Sequence, residues 1–244
     1  MNRRHLAGLQ ERLGESRRLR VFTAVPRDEV LRQARLYAQK WCWYEHNALP
    51  WNRARIHWHF LRREAFVRWP VYGNVLEAFD QGRLEVGPHA LLEPGVWITA
   101  PGEARVRIGG GSFLNLGVMV AAVELIEIGK HCMFANGCFV TDGNHSFDDP
   151  EKPVPWQGFT TKGPTRVGDN VWCGANVVIT SGVTVGERCV IGANSVVTDD
   201  LPPFSIAAGS PAKVLKRIEY PGEEASGGVG ARAAAGAGEG AGGG

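Results

Sequence analysis

The chain has 244 residues, of which 44% are hydrophobic and 21% are charged, so it is long enough to bury one or two cores. No apolar run reaches the roughly 18 residues that a membrane-spanning helix requires. Residues 1–20 lack the continuous apolar stretch of a secretory signal. Five cysteines at no paired spacing fit a reducing compartment better than a disulfide framework. These features predict a cytoplasmic protein with no integral membrane segment.

Charge is distributed unevenly, although the formal net charge is only +2. Residues 1–83 contain sixteen Lys and Arg against eight Asp and Glu, whereas residues 84–244 contain eleven against seventeen. A basic segment can contact nucleic acid, anionic lipid or an anionic ligand, but no nucleic-acid motif accompanies this charge. We therefore favour a solvated helix surface, or a contact with the acidic region, and expect no nucleic-acid partner.

The two ends of the chain differ in composition from its middle. Within residues 28–45, apolar side chains recur at steps of four and three, as on one face of a helix. Further helices are expected at about residues 53–67 and 75–79, which makes residues 1–83 a basic helical segment. Residues 221–244 are rich in Gly and Ala and cannot bury enough apolar surface to offset their ordering entropy. We predict a disordered tail there.

A repeat of six residues organises the region between these ends. Each repeat begins with an apolar residue, a small residue usually follows, and an apolar or small residue returns at the fifth position. A period of six suits short strands joined by turns, because an α-helix would spread those apolar positions around its surface. Three strands make one coil of a triangular prism with an apolar interior. The clearest hexads begin at Val167, Cys173, Ile179, Val185, Ile191 and Val197.

The same frame extends upstream and predicts an all-β solenoid over residues 84–220. Four of the five cysteines fall on first or fifth positions, so their thiols should face the core rather than form a metal cluster. These are Cys132, Cys138, Cys173 and Cys189. The upstream hexads begin at Ile128, Phe134 and Val140, with a fainter continuation through Leu116 and Ala122.

Three motifs in this region resemble the hexapeptide-repeat acyltransferases, and most of all their maltose and galactoside O-acetyltransferase branch. They are Gly168-Asp-Asn-Val-Trp172, Gly192-Ala-Asn-Ser-Val-Val-Thr198 and Ala208-Gly-Ser-Pro-Ala-Lys-Val214, in the order and at the spacing of that family. The resemblance implies a left-handed parallel β-helix, a homotrimer and an acyl-coenzyme A donor, with acetyl-coenzyme A as the co-substrate. It also implies O-acylation of a sugar, glycolipid or similar small acceptor.

His145, in the motif Thr141-Asp-Gly-Asn-His145, matches the family's catalytic histidine. Transfer of an acetyl group to a hydroxyl needs a base for the hydroxyl proton and donors for the oxyanion that forms, and an imidazole suits the first task at neutral pH. The hexad frame puts His145 at a sixth position between inward-facing Asn144 and Ser146. Its ring should therefore point out of the prism.

Asn115, thirty residues before His145, matches an asparagine of the family's acceptor site. Counted in the hexad frame it also occupies a sixth position. One coil plus two further strands separates the two residues, so their side chains should lie on different faces and meet only across a trimer cleft. Ala122 and Val123 stand where sugar-acetylating relatives carry acidic residues, which leaves the acceptor open.

The repeat is expected to stop after His145 and to resume at Val167. The aperiodic residues 146–166 between them have the composition of a structured loop. A long loop beside the candidate base favours a wall of the site, and in the family such a loop covers the acceptor pocket. Trp156 and Phe159 could offer aromatic faces to a sugar, although packing of Trp156 against the prism is an equal alternative.

The resemblance also assigns the coenzyme groove, with the backbone N–H of Ala175 as the candidate oxyanion donor. Two lysines match cations near the coenzyme phosphates, and Arg217 adds a third charge, although such a cluster also suits a solvated end of a solenoid. Asp199 stands where relatives often carry a cation. The groove residues are Trp172, Ala175, Ala193 and Thr198, and the lysines are Lys213 and Lys216.

Two other classes of function fit the same prism. Some zinc carbonic anhydrases need three histidine ligands that converge between subunits. The spacings of His89, His131 and His145 do not match that triad, so no metal is expected. A non-catalytic scaffold is the second alternative. His145 together with the interrupting loop argues against it.

Overall fold

The computed structural model describes residues 26–219, except for the side chains of residues 39–45. The predicted tail at residues 221–244 and the first 25 residues therefore lie outside the described residues. Three helices are present in the described part: α1 (Arg27–Ala48), α2 (Pro50–Leu61) and α3 (Val75–Asp80). None of them is both long and apolar enough to cross a bilayer.

Helix α2 covers the start of the β-structure with one face. It begins at Pro50, whose fixed φ angle and missing N–H suit the first helical position. Ile56 and Phe60, one turn apart on the same face, are buried, and the Phe60 ring packs edge-on against Phe79 of α3. The amide of Asn47 at the end of α1 donates to the Gly73 carbonyl oxygen at 2.8 Å. These contacts hold the helical N-terminal segment against the solenoid.

Short parallel strands wind into a prism with three faces, which confirms the predicted all-β solenoid. Face A contains β1 (Phe66–Val67), β4 (Leu91–Leu92), β7 (Phe113–Leu114), β10 (Met133–Phe134), β15 (Trp172–Cys173), β18 (Val190–Ile191) and β20 (Ser205–Gly209). Face B contains β2 (Val71–Gly73), β5 (Val96–Thr99), β8 (Met119–Ala121), β11 (Phe139–Thr141), β16 (Val178–Ile179) and β19 (Val196–Val197). Face C contains β3 (Leu84–Val86), β6 (Arg105–Ile108), β9 (Leu125–Ile128), β14 (Thr165–Val167) and β17 (Thr184–Val185).

Three further strands depart from this winding. Strand β21 (Ala212–Arg217) returns antiparallel to β20 at the end of face A. Strands β12 (Gly143–His145) and β13 (Phe159–Thr161) form a separate antiparallel hairpin. The solenoid itself begins with β1 and β2, which pair in parallel with β4 and β5. Its first strands therefore lie ahead of residue 84, where the hexad pattern first becomes readable.

The prism interior follows the hexad pattern downstream of the loop. First and fifth positions from Val167 to Leu201 are all buried. The four cysteine thiols assigned to the core are buried and free, as predicted. Burial raises the pKa of the Cys173 thiol well above its usual value, because a thiolate would lose its hydration there. Cys173 therefore behaves as a small apolar residue in a tight interior.

The strict frame is wrong upstream of Ile128, because the coils there are longer than three hexads. Ile191 pairs with Cys173, eighteen residues earlier, but Phe134 pairs with Leu114, twenty residues earlier. The hexad frame predicts that Leu116 lies in the interior, but Leu116 is 49% exposed, whereas Leu114 is fully buried. The extra residues lie in the corner between faces B and C, where a surface turn can lengthen without disturbing the strands.

The outer surface differs between the three faces. Face C carries a row of alternating charges in which Arg107 bridges Glu85 and Glu127, and Arg166 also pairs with Glu127. The pKa of Glu127 is lowered by its hydrogen bond from Arg107. Faces A and B instead carry apolar rows from end to end. The row on face A is Phe66, Leu91, Phe113, Met133, Trp172, Val190 and Ile206. The row on face B is Tyr72, Trp97, Met119, Phe139, Val178 and Val196.

Candidate active site

The candidate base lies on a hairpin that leaves the solenoid between faces B and C. His145 is the last residue of β12 and is directly opposite Phe159 of β13. The two ring centroids are 4.4 Å apart, and the ring planes are inclined by 36°. Beyond this pair, the N–H of Ser146 donates to the Gly158 carbonyl oxygen at 3.1 Å, and a short 3-10 helix spans Val154–Trp156.

The hairpin begins earlier than the sequence pattern indicated. The prediction that the repeat continues through His145 is wrong, because β12 already pairs with β13 from Gly143 onward. Asn144 and Ser146 are half-buried in the hairpin rather than in the prism interior. The His145 side chain is exposed. The hairpin therefore determines the position of His145, and the hexad frame does not extend to this residue.

Asp142 fixes the point where the hairpin leaves the solenoid. Its carboxylate is fully buried and accepts hydrogen bonds from three backbone N–H groups: Val123 at 2.6 Å, Glu124 at 2.8 Å and Leu125 at 2.5 Å. Its backbone carbonyl oxygen accepts a hydrogen bond from the Ser181 hydroxyl, one coil further on. Three residues before the candidate base, Asp142 thus ties the hairpin to the coils on both sides.

Asp142 is a site residue that the sequence pattern does not indicate. An acidic residue followed by Gly is typical of a solvated turn, and the hexad repeat contains several turns with acidic residues. The two-residue insertion between β8 and β9, whose backbone N–H groups need acceptors, becomes visible only in the strand register.

Asn115 lies one corner away from His145 within the chain. It directly follows Leu114, so it occupies a second position rather than the predicted sixth, because of the two extra residues between β8 and β9. Its side-chain amide donates to the Phe134 carbonyl oxygen at 2.9 Å. Asn115 is at the corner between faces A and B, and His145 is beyond the corner between faces B and C. One chain therefore does not bring the two side chains together.

The candidate residues for binding the acyl-coenzyme A donor lie on one face and at two corners of the prism. Trp172 is in the apolar row of face A and is 53% exposed. Ala175 and Ala193 stack at the corner between faces A and B, where Asn194 N–H donates to the Ala175 carbonyl oxygen at 2.8 Å. The N–H of Ala175 donates no hydrogen bond within residues 26–219. Thr198 is at the next corner, with face B between them.

Strand β21 determines the orientation of the two lysines that are candidates for binding the coenzyme phosphates. A bulge between Ile206 and Ala207 sets Lys213 opposite Ala208 and Lys216 opposite Ile206. Because opposed residues of an antiparallel pair share a side, both lysines are on the outer side of face A. Arg217 is opposite buried Ser205 and has the other orientation. The bulge therefore places Lys216 in line with Trp172.

The two lysines differ in their neighbours. The Lys213 ammonium is 3.1 Å from Asp199 Oδ2, and its hydrogen bond holds the pKa of that carboxyl below its usual value. Thr198 donates to the same oxygen at 3.2 Å. Lys216 has no carboxylate partner among the described residues. Its charge is therefore the more available one for an anionic ligand.

The histidines do not converge on a metal centre. His89 and His131 are in turns between faces C and A, each with positive φ, whereas His145 is on the hairpin at a different corner. Across residues 26–219, no group of three His, Cys, Asp or Glu side chains is placed to hold a metal ion. Within one chain, these three histidines therefore lie at two different corners.

Comparison with known proteins identifies the fold family. The family model described as bacterial transferase hexapeptide (six repeats) matches residues 164–199. A maltose O-acetyltransferase of known structure from Clostridium difficile is 33% identical, with 60% of this chain and 76% of that chain covered and a TM-score of 0.51. A hexapeptide-repeat acetyltransferase from Vibrio cholerae, solved with acetyl-coenzyme A, is 27% identical, with 71% and 92% covered and a TM-score of 0.51.

The chain therefore belongs to the hexapeptide-repeat acyltransferases, and the predicted resemblance and left-handed β-helix class are confirmed. Within that family it is similar to the maltose and galactoside O-acetyltransferases. A probable acetyltransferase of Mycobacterium tuberculosis is 31% identical over 68% of this chain. The chain covers 59% of the length of that relative, which is less than two thirds.

Replacement of Asp142 by Ala should destabilise the protein by about 3 kcal/mol or more, because it removes a buried carboxylate that accepts hydrogen bonds from three backbone N–H groups. Urea unfolding followed by circular dichroism measures the loss. Asp148→Ala is the matched control, since Asp148 is an exposed carboxylate in the loop of residues 146–166. Equal unfolding midpoints for the two variants would contradict the anchoring role of Asp142.

Proposed function

We propose that the protein is an acyl-coenzyme A-dependent O-acyltransferase that transfers an acetyl group from acetyl-coenzyme A to a hydroxyl group. The acceptor is a sugar, a glycolipid or a similar small molecule. The observation that carries the proposal is the exposed His145, presented on an anchored hairpin at the corner of a hexapeptide-repeat solenoid. The maltose O-acetyltransferase and the acetyl-coenzyme A complex among the similar structures support the acceptor and donor classes.

The reaction divides between a base and an oxyanion donor. An unprotonated ring nitrogen of His145 takes the acceptor hydroxyl proton while the hydroxyl oxygen forms a bond to the thioester carbonyl carbon. The resulting tetrahedral oxyanion accepts a hydrogen bond from the N–H of Ala175. When the carbon–sulfur bond breaks, the coenzyme thiolate takes the proton from the imidazolium. The products are the acetyl ester and free coenzyme A.

The donor is proposed to lie along the outer side of face A and its corner with face B. Small side chains at Ala175 and Ala193 leave room for a narrow pantetheine arm, and Trp172 offers an apolar wall. Thr198 borders the far side of face B. Lys213 and Lys216 supply charge for the phosphates at the end of the solenoid. This arrangement puts the anionic part of the donor far from the reacting carbon.

We infer a homotrimer in which neighbouring chains complete each site. Faces A and B expose apolar rows, including Met133 and Trp172, whereas face C exposes paired charges. Exposed apolar surface of that extent marks a protein–protein interface. Two apolar faces and one charged, solvated face on each chain suit a closed ring of chains. A cleft between chains also gives Asn115 of one chain a route to His145 of the next.

Substitution of His145 by Ala should lower kcat by about two to four orders of magnitude, because the hydroxyl proton then lacks a positioned acceptor. Release of coenzyme A from acetyl-coenzyme A, measured with a panel of sugars, alcohols and amines, checks this. Coenzyme A should still raise the melting temperature of the variant.

The control for that test is His131→Asn, at an exposed turn position with positive φ that Asn tolerates. It should retain wild-type turnover. Wild-type protein that shows neither turnover nor a coenzyme-induced shift would instead support the scaffold alternative. Near-normal turnover of His145→Ala would remove this residue from the mechanism.

Lys216→Ala should raise KM for acetyl-coenzyme A by roughly 5- to 50-fold with a smaller effect on kcat, because phosphate anchoring is remote from the reacting carbon. Lys213→Ala should act in the same direction but less, since Asp199 already neutralises part of its charge. The effects should shrink at high salt. Arg217→Ala, on the opposite side of β21, is the control, and an equal rise in KM there would contradict the assignment.

Co-assembly of an Asn115→Ala chain with a His145→Ala chain should restore part of the activity that each variant loses alone. Random assembly pairs an intact Asn115 with an intact His145 at about one interface in four. Native mass spectrometry confirms mixed trimers before turnover is measured. Mixed trimers without recovered activity would contradict a site shared in this way.

A further inference from the structure

The imidazole of His145 has a contact that the proposed mechanism does not use. Among the described residues, its ring nitrogens form no hydrogen bond, and the ring of Phe159 is its aromatic neighbour at 4.4 Å between centroids. The side chain is otherwise exposed. An exposed histidine without such a contact samples several rotamers, and a neighbouring ring restricts the directions that the imidazole can take.

A general base needs a defined direction toward the proton that it removes. In many enzymes a carboxylate or carbonyl group bonded to the second ring nitrogen provides that direction. Within residues 26–219, no such group reaches His145. Among the interactions of the described residues, the aromatic contact with Phe159 is the one that can orient the ring. Aromatic pairs at this distance are attractive beyond the area they bury.

We propose that Phe159 is a positioning residue for His145, whose ring contact holds the imidazole in its productive orientation. The proposal rests on the function proposed above, in which His145 is the base. Phe159 acts through His145 and takes no part in proton transfer itself.

Phe159 can do this only if the hairpin keeps one register, and the hairpin is anchored at both strands. The Ser181 hydroxyl donates to the Asp142 carbonyl oxygen before β12 and accepts from the Lys162 N–H after β13, at 2.9 Å. Thr161 pairs with Gly143 next to this anchor. One side chain of the following coil therefore holds both strands. A slip of one residue would separate the Phe159 and His145 rings.

Two other roles for Phe159 predict different results. If the ring only stabilised the hairpin, any loss of activity should follow a loss of folded protein. If it stacked on the acceptor, its removal should raise KM for the acceptor and leave kcat unchanged. Phe147 provides a matched control, since it is an aromatic residue of the same excursion, is 77% exposed, and has no ring contact with His145.

The experiment compares Phe159→Leu, Phe159→Tyr and Phe147→Leu in the full-length protein with acetyl-coenzyme A and the best acceptor found for the wild type. Phe159→Leu should lower kcat by roughly 3- to 10-fold, with less than about a twofold change in either KM. Phe159→Tyr should retain wild-type kcat, and so should Phe147→Leu. Urea unfolding shows whether each variant is folded under the assay conditions.

A second readout does not depend on activity. The imidazole protons of His145 should show an upfield NMR ring-current shift in the wild type and in Phe159→Tyr, and this shift should disappear in Phe159→Leu. The His145→Ala spectrum assigns the signal.

Three results would overturn the positioning role: unchanged kcat in Phe159→Leu, a rise in acceptor KM alone, or an equal loss of kcat in Phe147→Leu. A wild-type protein that transfers no acetyl group would overturn the proposed function instead. In that case the ring-current shift still decides whether Phe159 orients His145.

Discussion

Stacking of the coils at backbone hydrogen-bond distance is the constraint on which the rest of this structure depends. Most strands of the prism contain only two to four residues, so each obtains its backbone partners from the coils above and below. The turns must match this spacing. A Cβ at Gly168 would lie 2.6 Å from the backbone nitrogen of Glu187, which leaves no room for a side chain at that corner. The interior accordingly admits only residues that fit a narrow prism, such as the buried cysteines and valines.

Because the strands cannot change in length without disturbing their neighbours, additional residues are accommodated at the corners. The corner between faces B and C holds no inserted residue in the last complete coils, two in the coil before β9, and the whole hairpin before β14. Asp142 and Ser181 fix the largest insertion to the coils on either side. The Asp142 carboxylate accepts hydrogen bonds from backbone N–H groups of the preceding coil, and the Ser181 hydroxyl of the following coil bonds backbone groups at both ends of the hairpin. The backbone of the hairpin that carries His145 is therefore bonded to the coil that follows it.

The outer faces of the prism differ in polarity. Paired charges on face C are compatible with water, and their exposed ion pairs contribute little to stability. The apolar rows on faces A and B are costly to leave in water over their whole length. Trp172 belongs to one of these rows, and the β21 bulge brings Lys216 into line with it. Surface for partner chains and surface for a long donor molecule therefore lie side by side.

The sequence by itself determined the solenoid, the burial of positions such as Val167 and Cys173, and the candidacy of His145, because a strict period and short motifs are local properties of the chain. It misplaced Leu116 and Asn115, since a period counted along the chain cannot register two residues added at a corner. It also missed Asp142. Only the tertiary structure decided which backbone N–H groups donate to that carboxylate, which coil anchors the hairpin, and which ring contacts the base. Those contacts join residues that are distant in the sequence, and the hexad frame alone does not define their pairing.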